Sequence, residues 1–317
     1  VKIMTGAIMP QGLYTVAPQE IVSRNGDRIA IPSGALQRGD NRRFKGEDLT
    51  AGEPALAAGA RVTPAALGLL ASLGIAQVDV RRRVRVAFFS TGDEVLSLGE
   101  APREGAVYDS NRYTLFGLLT RMGVEVIDMG VVRDDPGALE AAFRTATAQA
   151  DAVITSGGVS VGEADHTKAV MRKLAGGDAG VVFWKIAMRP GRPMAVGRIG
   201  NAVLFGLPGN PVAVMVTFLA FVRPALLQMM GSTPAAPPLL KAKSLETLRK
   251  KPGRTEYQRG VVSSAPDGSL VVKTTGQQGS GVLSSMAQAN GLIVLHHDQG
   301  DALAGQEVDV MMFEGVI

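Results

Sequence analysis

The sequence predicts a multidomain α/β protein: a central parallel sheet wound with helices, a β-rich linker region before it, and a small β domain after it. Three observations carry that expectation. From residue 84 to residue 231, strand-like and helix-like segments alternate. Within that stretch, at 151–165, the run DAVITSGGVSVGEAD takes an apolar strand into a glycine-rich turn and then into carboxylates. After residue 231 the proline-rich segment TPAAPPLL gives way to short strand-like runs separated by PDGS, GQQGSG and HHDQG. The boundaries expected from these breaks are 1–83, 84–233 and 234–317.

In chain order, residues 5–48 hold many turn formers and β-like fragments, and 63–74 reads as one amphipathic helix with proline early in it. The α/β part opens with the strand VRVAFFST and, after a loop, the helix SNRYTLFGLLTRMG. VEVIDMGVV follows as a second strand, DPGALEAAFRTATAQA as a helix opened by Asp135 and Pro136, and DAVITS as a third strand. Short loops predict right-handed crossovers and a parallel sheet. A ligand of such a sheet sits beyond the carboxyl ends of its strands, where STGDE, VVRDDP and TSGGVSVGEAD all fall.

At 317 residues the chain exceeds one typical domain. It has no cysteine, which excludes disulfides, thiolate metal sites and a cysteine nucleophile and fits a cytoplasmic location. The start, VKIMTGAIMPQG, lacks the apolar core of a signal peptide, and its opening without an initiator methionine reads as a missing N-terminal portion. The apolar run at 212–230 approaches membrane-spanning length but carries Arg223 and Pro224, so a buried helix is expected. Net charge is +4, with basic residues scattered apart from Arg81, Arg82, Arg83 and Arg85. Aromatics are 5% and no basic stripe interleaves with them, so the expected partner is an anionic small molecule rather than nucleic acid or membrane.

In the 151–165 loop, Gly157, Gly158 and Gly162 let the backbone approach a ligand closely, and amides of such a turn favour phosphate. Glu163 and Asp165 are oxygen donors suited to a hard cation such as Mg2+. A glycine-rich βα turn is also ordinary in α/β proteins. The spacing fits neither GxxxxGK[ST] nor GxGxxG, which weighs against the common nucleotide-binding enzymes.

Together, TGAIMPQG, NRRFKGED, STGDEV, YDSNR, GVVRDDP, TSGGVSVGEADHTK, FWKIAMRPGRP and GLPGNPV resemble the MoeA family of molybdopterin molybdenumtransferases, to which the gephyrin E domain also belongs. The resemblance spans nearly the whole chain and extends into the β domain through QRG and GSGVLSSMAQANGL. It implies ligation of molybdenum from molybdate into adenylylated molybdopterin with release of AMP and a requirement for Mg2+. It also implies a homodimer in which the N-terminal part of one subunit completes the other's cleft, with transient contacts to an adenylyltransferase and to apo-molybdoenzymes.

Carried over residue by residue, the resemblance assigns Glu94, Asp134, Asp165 and Lys185 to catalysis, with Glu94 and Asp165 holding the metal. Thr91, Gly92, Asp93, Ser156, Gly157, Gly158, Ser160, Gly162, Pro208, Asn210 and Pro211 become substrate-binding positions, and Thr5 lies near the partner's cleft. Lys185 and Arg189 match two family lysines near the pterin phosphate and molybdate, so Arg189 is a substrate-binding position that departs from lysine but keeps the charge, beside the further cation Arg192. Arg259 and Ser284 match cleft positions able to donate hydrogen bonds to molybdate. Plain structural roles stand beside these: helix capping for Asp134 or Asp135 and for Asn210, an ion pair for Arg259, a turn for Ser284. His296, His297 and Asp298 read as an exposed turn without a third ligand, and Met215, Met229 and Met230 as packing.

Two departures stand out. No MDG[FY]A motif precedes Val1, and in GLYTVAPQE Leu13 and Tyr14 replace the expected alanine and aspartate. The competing functions are the related adenylyltransferase, which shares a GGxSxG sheet domain, and a molybdopterin-binding scaffold or inactive truncated homologue.

Overall fold

The computed structural model describes residues 1–159, 166–177, 179–232 and 236–313. These form two compact units, Val1–Val78 and Asp79–Ile317.

In the first unit, β1 (Ser23–Asn25) and β2 (Arg28–Ala30) pair as an antiparallel hairpin across a two-residue turn in which Gly26 takes φ +61°. Helix α1 (Pro64–Ser72) starts because Thr63 accepts from the Ala66 amide at 3.2 Å and proline occupies the first turn. Tyr14, one of the departures, has the Arg38 guanidinium 4.4 Å and the Arg42 guanidinium 5.7 Å from its ring centre; Arg42 also lies 4.3 Å over Phe44. Cation–π stacking thus engages these arginines where an aspartate would have formed ion pairs.

The second unit runs β3 (Arg85–Thr91), β4 (Val95–Leu96), β5 (Val107–Tyr108), α2 (Ser110–Met122), β6 (Glu125–Val132), α3 (Pro136–Gln149), β7 (Ala152–Ser156), α4 (His166–Leu174), β8 (Val181–Lys185), β9 (Met188–Arg189), β10 (Pro193–Ile199) and β11 (Ala202–Leu207). A near-continuous helix follows: α5 (Pro211–Thr217), one π turn (Phe218–Val222) and α6 (Arg223–Met229). The chain ends in β12 (Leu240–Ser244), β13 (Thr255–Ser264), β14 (Leu270–Thr274), α7 (Leu283–Gln288), β15 (Gly291–Leu295) and β16 (Glu307–Met312).

The central sheet has the order β6-β3-β7-β11-β10-β8. β6, β3, β7 and β11 are parallel, but β10 is antiparallel to both its neighbours, so the sheet is mixed rather than wholly parallel. The cause is local: Ile199 pairs with Ala202 across Gly200 and Asn201, and a two-residue turn joins only antiparallel strands. Because β8 is antiparallel to β10, it runs the same way as β7 and β11. Its carboxyl end, Lys185, therefore reaches the same rim as Thr91 and Ser156.

Strands covered on both faces need apolar residues at consecutive positions, which is why β3 shows no polar alternation. Phe88 packs in the core that contains Leu115, Leu119, Val212 and Phe218, while Phe89 packs in the opposite core with Leu139, Phe143 and Met171. The Phe89 and Phe143 rings meet edge to face, 5.2 Å apart. The helix spanning Pro211–Met229 is long and apolar enough to cross a membrane, yet half of it is buried within this fold. Met215, Met229 and Met230 pack against that core.

The C-terminal sheet, β14-β12-β16-β15-β13-β9, closes on itself because β13 also pairs with β14. Val272, Ile293, Leu295, Val308 and Val310 fill it. Its last strand, β9, comes from the connection between β8 and β10 and pairs in parallel with β13, Met188 opposite Thr255 and Arg189 opposite Glu256.

Asp151 fastens the amino ends of β3 and β7. Arg82 donates Nη1 to Oδ2 at 2.7 Å and Nη2 to Oδ1 at 2.8 Å, and the Arg85 amide donates to Oδ2 at 2.8 Å. The Arg82 hydrogen bonds, against an opposing desolvation cost and with help from the Arg85 amide, hold the Asp151 carboxyl far below the usual carboxylate range. A depressed carboxylate gives stability that is full above its unfolded pKa and lost as pH falls toward the folded value. Arg82 is largely exposed, so Asp151→Asn should cost only about 1 kcal/mol at neutral pH. Denaturant unfolding from about pH 7 to pH 2 should show the two proteins converging below about pH 4.

Candidate functional site at the carboxyl rim of the central sheet

Four strand ends and their loops meet at one rim. At the end of β3, Gly92 has φ +146°, and a Cβ there would stand 2.8 Å from the Glu94 carboxylate; glycine lets Glu94 fold back toward the strand end. Asp93 ties this loop to its neighbours: its carbonyl accepts from Arg103, and its Oδ1 accepts from the Asp134 amide at 3.4 Å. Asp135, not Asp134, caps α3, accepting from the Ala138 amide at 2.9 Å. Asp134 is left half-buried just ahead of the helix.

At the end of β7, Gly157 and Gly158 take φ +91° and +66°. A Cβ on Gly157 would lie 2.5 Å from the Thr91 carbonyl oxygen, and one on Gly158 would lie 2.2 Å from Thr167 Oγ1. The loop is thus pressed between the end of β3 and helix α4, and the Gly157 amide donates to the Leu207 carbonyl of β11 at 3.2 Å. Ser160, Gly162, Glu163 and Asp165 lie outside the described residues.

Asn111, in the first turn of α2, is a rim residue that sequence reasoning passed over. Its Nδ2 donates to Ser156 Oγ at 2.8 Å and to the Gly209 carbonyl at 2.7 Å, joining the β7 loop to the turn after β11. Asp109 caps the same helix, accepting from the Arg112 amide at 3.0 Å. Their signal was the cap-like YDSN within YDSNR. Pro208 is buried and Pro211 opens α5, but Asn210, expected to cap that helix, makes no side-chain cap bond. The helix start is satisfied from the C-terminal part instead, where the Ser280 carbonyl accepts from the Val212 amide at 3.1 Å.

The rim is rich in unsatisfied hydrogen-bonding atoms. The hydroxyls of Ser90, Thr91, Thr155 and Thr167, with Asn111 Oδ1 and Asp109 Oδ2, are buried without a hydrogen-bond partner among the described residues. Buried polar atoms are nearly always paired, so a cluster of orphans marks a place where something else binds.

Cations stand on the same edge. Lys185, Arg189 and Arg192 are exposed along the connection between β8 and β10. Arg259 is only 1% exposed, and no carboxylate among the described residues pairs with it. Its Nε donates to Ser285 Oγ at 2.9 Å, and its terminal nitrogens donate to the carbonyls of Gln277, Gln278 and Gly279. Ser284 lies exposed on α7 rather than in a turn; its buried neighbour Ser285 is the partner of Arg259. Thr5 is exposed in the first unit.

Among the described residues no three His, Cys, Asp or Glu side chains are grouped to hold a metal. Glu94 is exposed at the rim, and Asp165, its expected companion, is outside the described set. His296 and His297 form exposed pairs with Asp309 and Asp298, each at 2.7 Å.

Comparisons with known proteins agree along the whole chain. Residues 1–74 match the MoeA N-terminal region (domain I and II), 87–228 the probable molybdopterin binding domain, and 241–313 the MoeA C-terminal region (domain IV). The molybdopterin molybdenumtransferase of Haemophilus influenzae is 42% identical over 100% of this chain and 78% of its own length. Molybdopterin molybdenumtransferase 2 of Mycobacterium tuberculosis is 36% identical over 98% of this chain and 76% of its own. The crystal structure of the molybdopterin biosynthesis moeA protein from Pyrococcus horikoshii OT3 superposes with a TM-score of 0.78 at 28% identity, covering 98% of this chain and 75% of that one. With its α/β sheet, C-terminal β domain and these matches, the chain belongs to the MoeA family of molybdopterin molybdenumtransferases, enzymes of molybdenum cofactor biosynthesis.

Proposed function

We propose that this chain transfers molybdenum from molybdate to the dithiolene of adenylylated molybdopterin with release of AMP, in the presence of Mg2+. The observation that carries this reading is the rim itself: glycine-gated loops lined with orphaned hydroxyls, flanked on the same edge by Lys185 and Arg189. In this reading Thr91, Ser156, Gly157 and Gly158, continued by Ser160 and Gly162, receive the phosphate-bearing end of the ligand through hydroxyls and backbone amides. Gly92 and Asp93 shape the first loop, and Pro208, Asn210 and Pro211 shape the last.

Lys185 and Arg189 supply positive charge to the oxyanion, and Arg259 with Ser284 borders the same cleft. The metal would be held by Glu94, exposed at the rim, and Asp165 with Asp134 alongside; all-oxygen donors suit a hard cation. Bound there, Mg2+ supplies charge neutralisation at the phosphoanhydride. The reading includes the division 1–83, 84–233 and 234–317, a cytoplasmic homodimer in which the region around Thr5 serves the partner's cleft, and transient contact with the adenylyltransferase and apo-molybdoenzymes.

The test is single-turnover AMP release from adenylylated molybdopterin with Mg2+ and molybdate, followed by reconstitution of an apo-molybdoenzyme. Molybdate-dependent AMP release is the expected result; ligand binding without AMP release would instead identify a scaffold. Asn111→Ala, which unties two loops of the rim, should slow AMP release about tenfold at a stability cost of about 1–2 kcal/mol.

A further inference from the structure

We propose that Glu256 is a positioning residue that competes with the oxyanion substrate for Arg189, and so limits how tightly the rim holds that oxyanion. The proposal rests on the reading of the rim as a molybdate site.

The parallel pairing of β9 with β13 sets Arg189 opposite Glu256. The Glu256 side chain is 3% exposed, whereas that of Arg189 is 54% exposed. The two oxygens of Glu256 differ in use. Oε1 accepts from Arg254 Nε at 2.8 Å and stands 2.8 Å from Arg254 Nη2 as an ion pair. Oε2 stands 3.8 Å from Arg189 Nη1, too far for a hydrogen bond but close enough for charge attraction. Arg189 is therefore tethered without being locked.

A second buried group opposes the tether. The Arg259 guanidinium is bound to three carbonyls and a hydroxyl, with no carboxylate among the described residues to neutralise it, and the charge of Arg189 is felt there. Arg189 is thus drawn by one buried carboxylate and repelled by one buried cation. A cavity of about 260 Å³ between the Arg189–Pro190 turn and the C-terminal sheet, lined also by Glu246, Gln258 and Gln278, gives the guanidinium room to shift.

The choice of arginine matters to this balance. A planar guanidinium grips an oxyanion through a rigid fork of N–H groups, so the fork drawn toward Glu256 must turn away from it to meet the oxyanion squarely. Glu256 then acts as a resting partner, and the oxyanion must displace a weak contact to bind.

The experiment is calorimetric titration of the full chain with molybdate. Glu256→Gln keeps the shape and an acceptor for Arg254, and is expected to bind molybdate about threefold more tightly. Arg254→Gln frees Oε1 to draw Arg189 inward and is expected to bind about threefold more weakly. Both changes should vanish in an Arg189→Ala background, which separates the effect from a general change of field or loss of structure. Should Glu256→Gln not fold, Glu256→Asp, which withdraws the carboxylate from Arg189, must also tighten binding. Unchanged or weaker binding in the Glu256 variants, or an effect that persists without Arg189, overturns the proposal while leaving the molybdate reading intact. Failure of the unsubstituted chain to bind molybdate overturns both.

Discussion

Replacing Gly157 with alanine is expected to abolish AMP release and to lower stability by about 3–5 kcal/mol. Two costs add. The residue sits at φ +91°, where a Cβ is strained by about 1 kcal/mol. The added carbon would also stand 2.5 Å from the Thr91 carbonyl oxygen. That oxygen is backbone at the end of β3, which is paired on one side with β6 and on the other with β7, so it cannot yield without disturbing the middle of the sheet. Gly176→Ala provides the control: its φ is +78°, but a Cβ there meets nothing within 4 Å, so only the strain of about 1 kcal/mol should appear. Denaturant unfolding of both variants and AMP release from both would decide the matter. A Gly157→Ala protein as stable and active as Gly176→Ala would show that the loop is not pressed against β3.

The features that were legible in the sequence are those fixed by near neighbours. Asp135 and Pro136 start α3 because cap and first-turn chemistry lie within three residues of each other, and β3 and β7 announce themselves by apolar runs buried on both faces. What escaped depends on distant partners. Asn111 reaches acceptors 45 and 98 positions away, so nothing local distinguishes it from any asparagine in a first helical turn. Asn210 has the residue type of a cap and the position of one, but the Val212 amide is satisfied by Ser280, and no local pattern foretells that. The direction of β10 was within reach, since Gly200 and Asn201 form a two-residue turn; the alternation of strands and helices before it concealed the change to a hairpin. The two arginines divide in the same way. Arg189 shows its charge to solvent, as a surface cation of the motif FWKIAMRPGRP should, whereas the burial of Arg259 follows from a loop that returns 18 to 20 residues later.

Arg259→Ala is expected to cost about 3–5 kcal/mol and to remove molybdate-dependent turnover. The side chain donates to Ser285 Oγ and to the carbonyls of Gln277, Gln278 and Gly279 at 2.9–3.2 Å, so truncation removes the donor that gathers the buried Ser285 and three part-buried carbonyls, and opens a cavity. The damage should travel to the rim, because the next carbonyl of that loop, on Ser280, accepts from the Val212 amide at the start of α5. Arg259→Lys keeps a charge but cannot span four divergent acceptors, and should recover less than half of the loss. Burial, with the charge of Arg189 adding to it, lowers the Arg259 pKa to about 10, so the group remains cationic at neutral pH. For a base with a depressed folded pKa, the burial penalty is present throughout the range below that value and is relieved only above it. The stability deficit of Arg259→Ala should therefore be constant between about pH 6 and pH 9. Urea unfolding across that range, paired with AMP release, reads both consequences; a deficit that varied steeply with pH would show that charge rather than the four-acceptor geometry sets the role of Arg259.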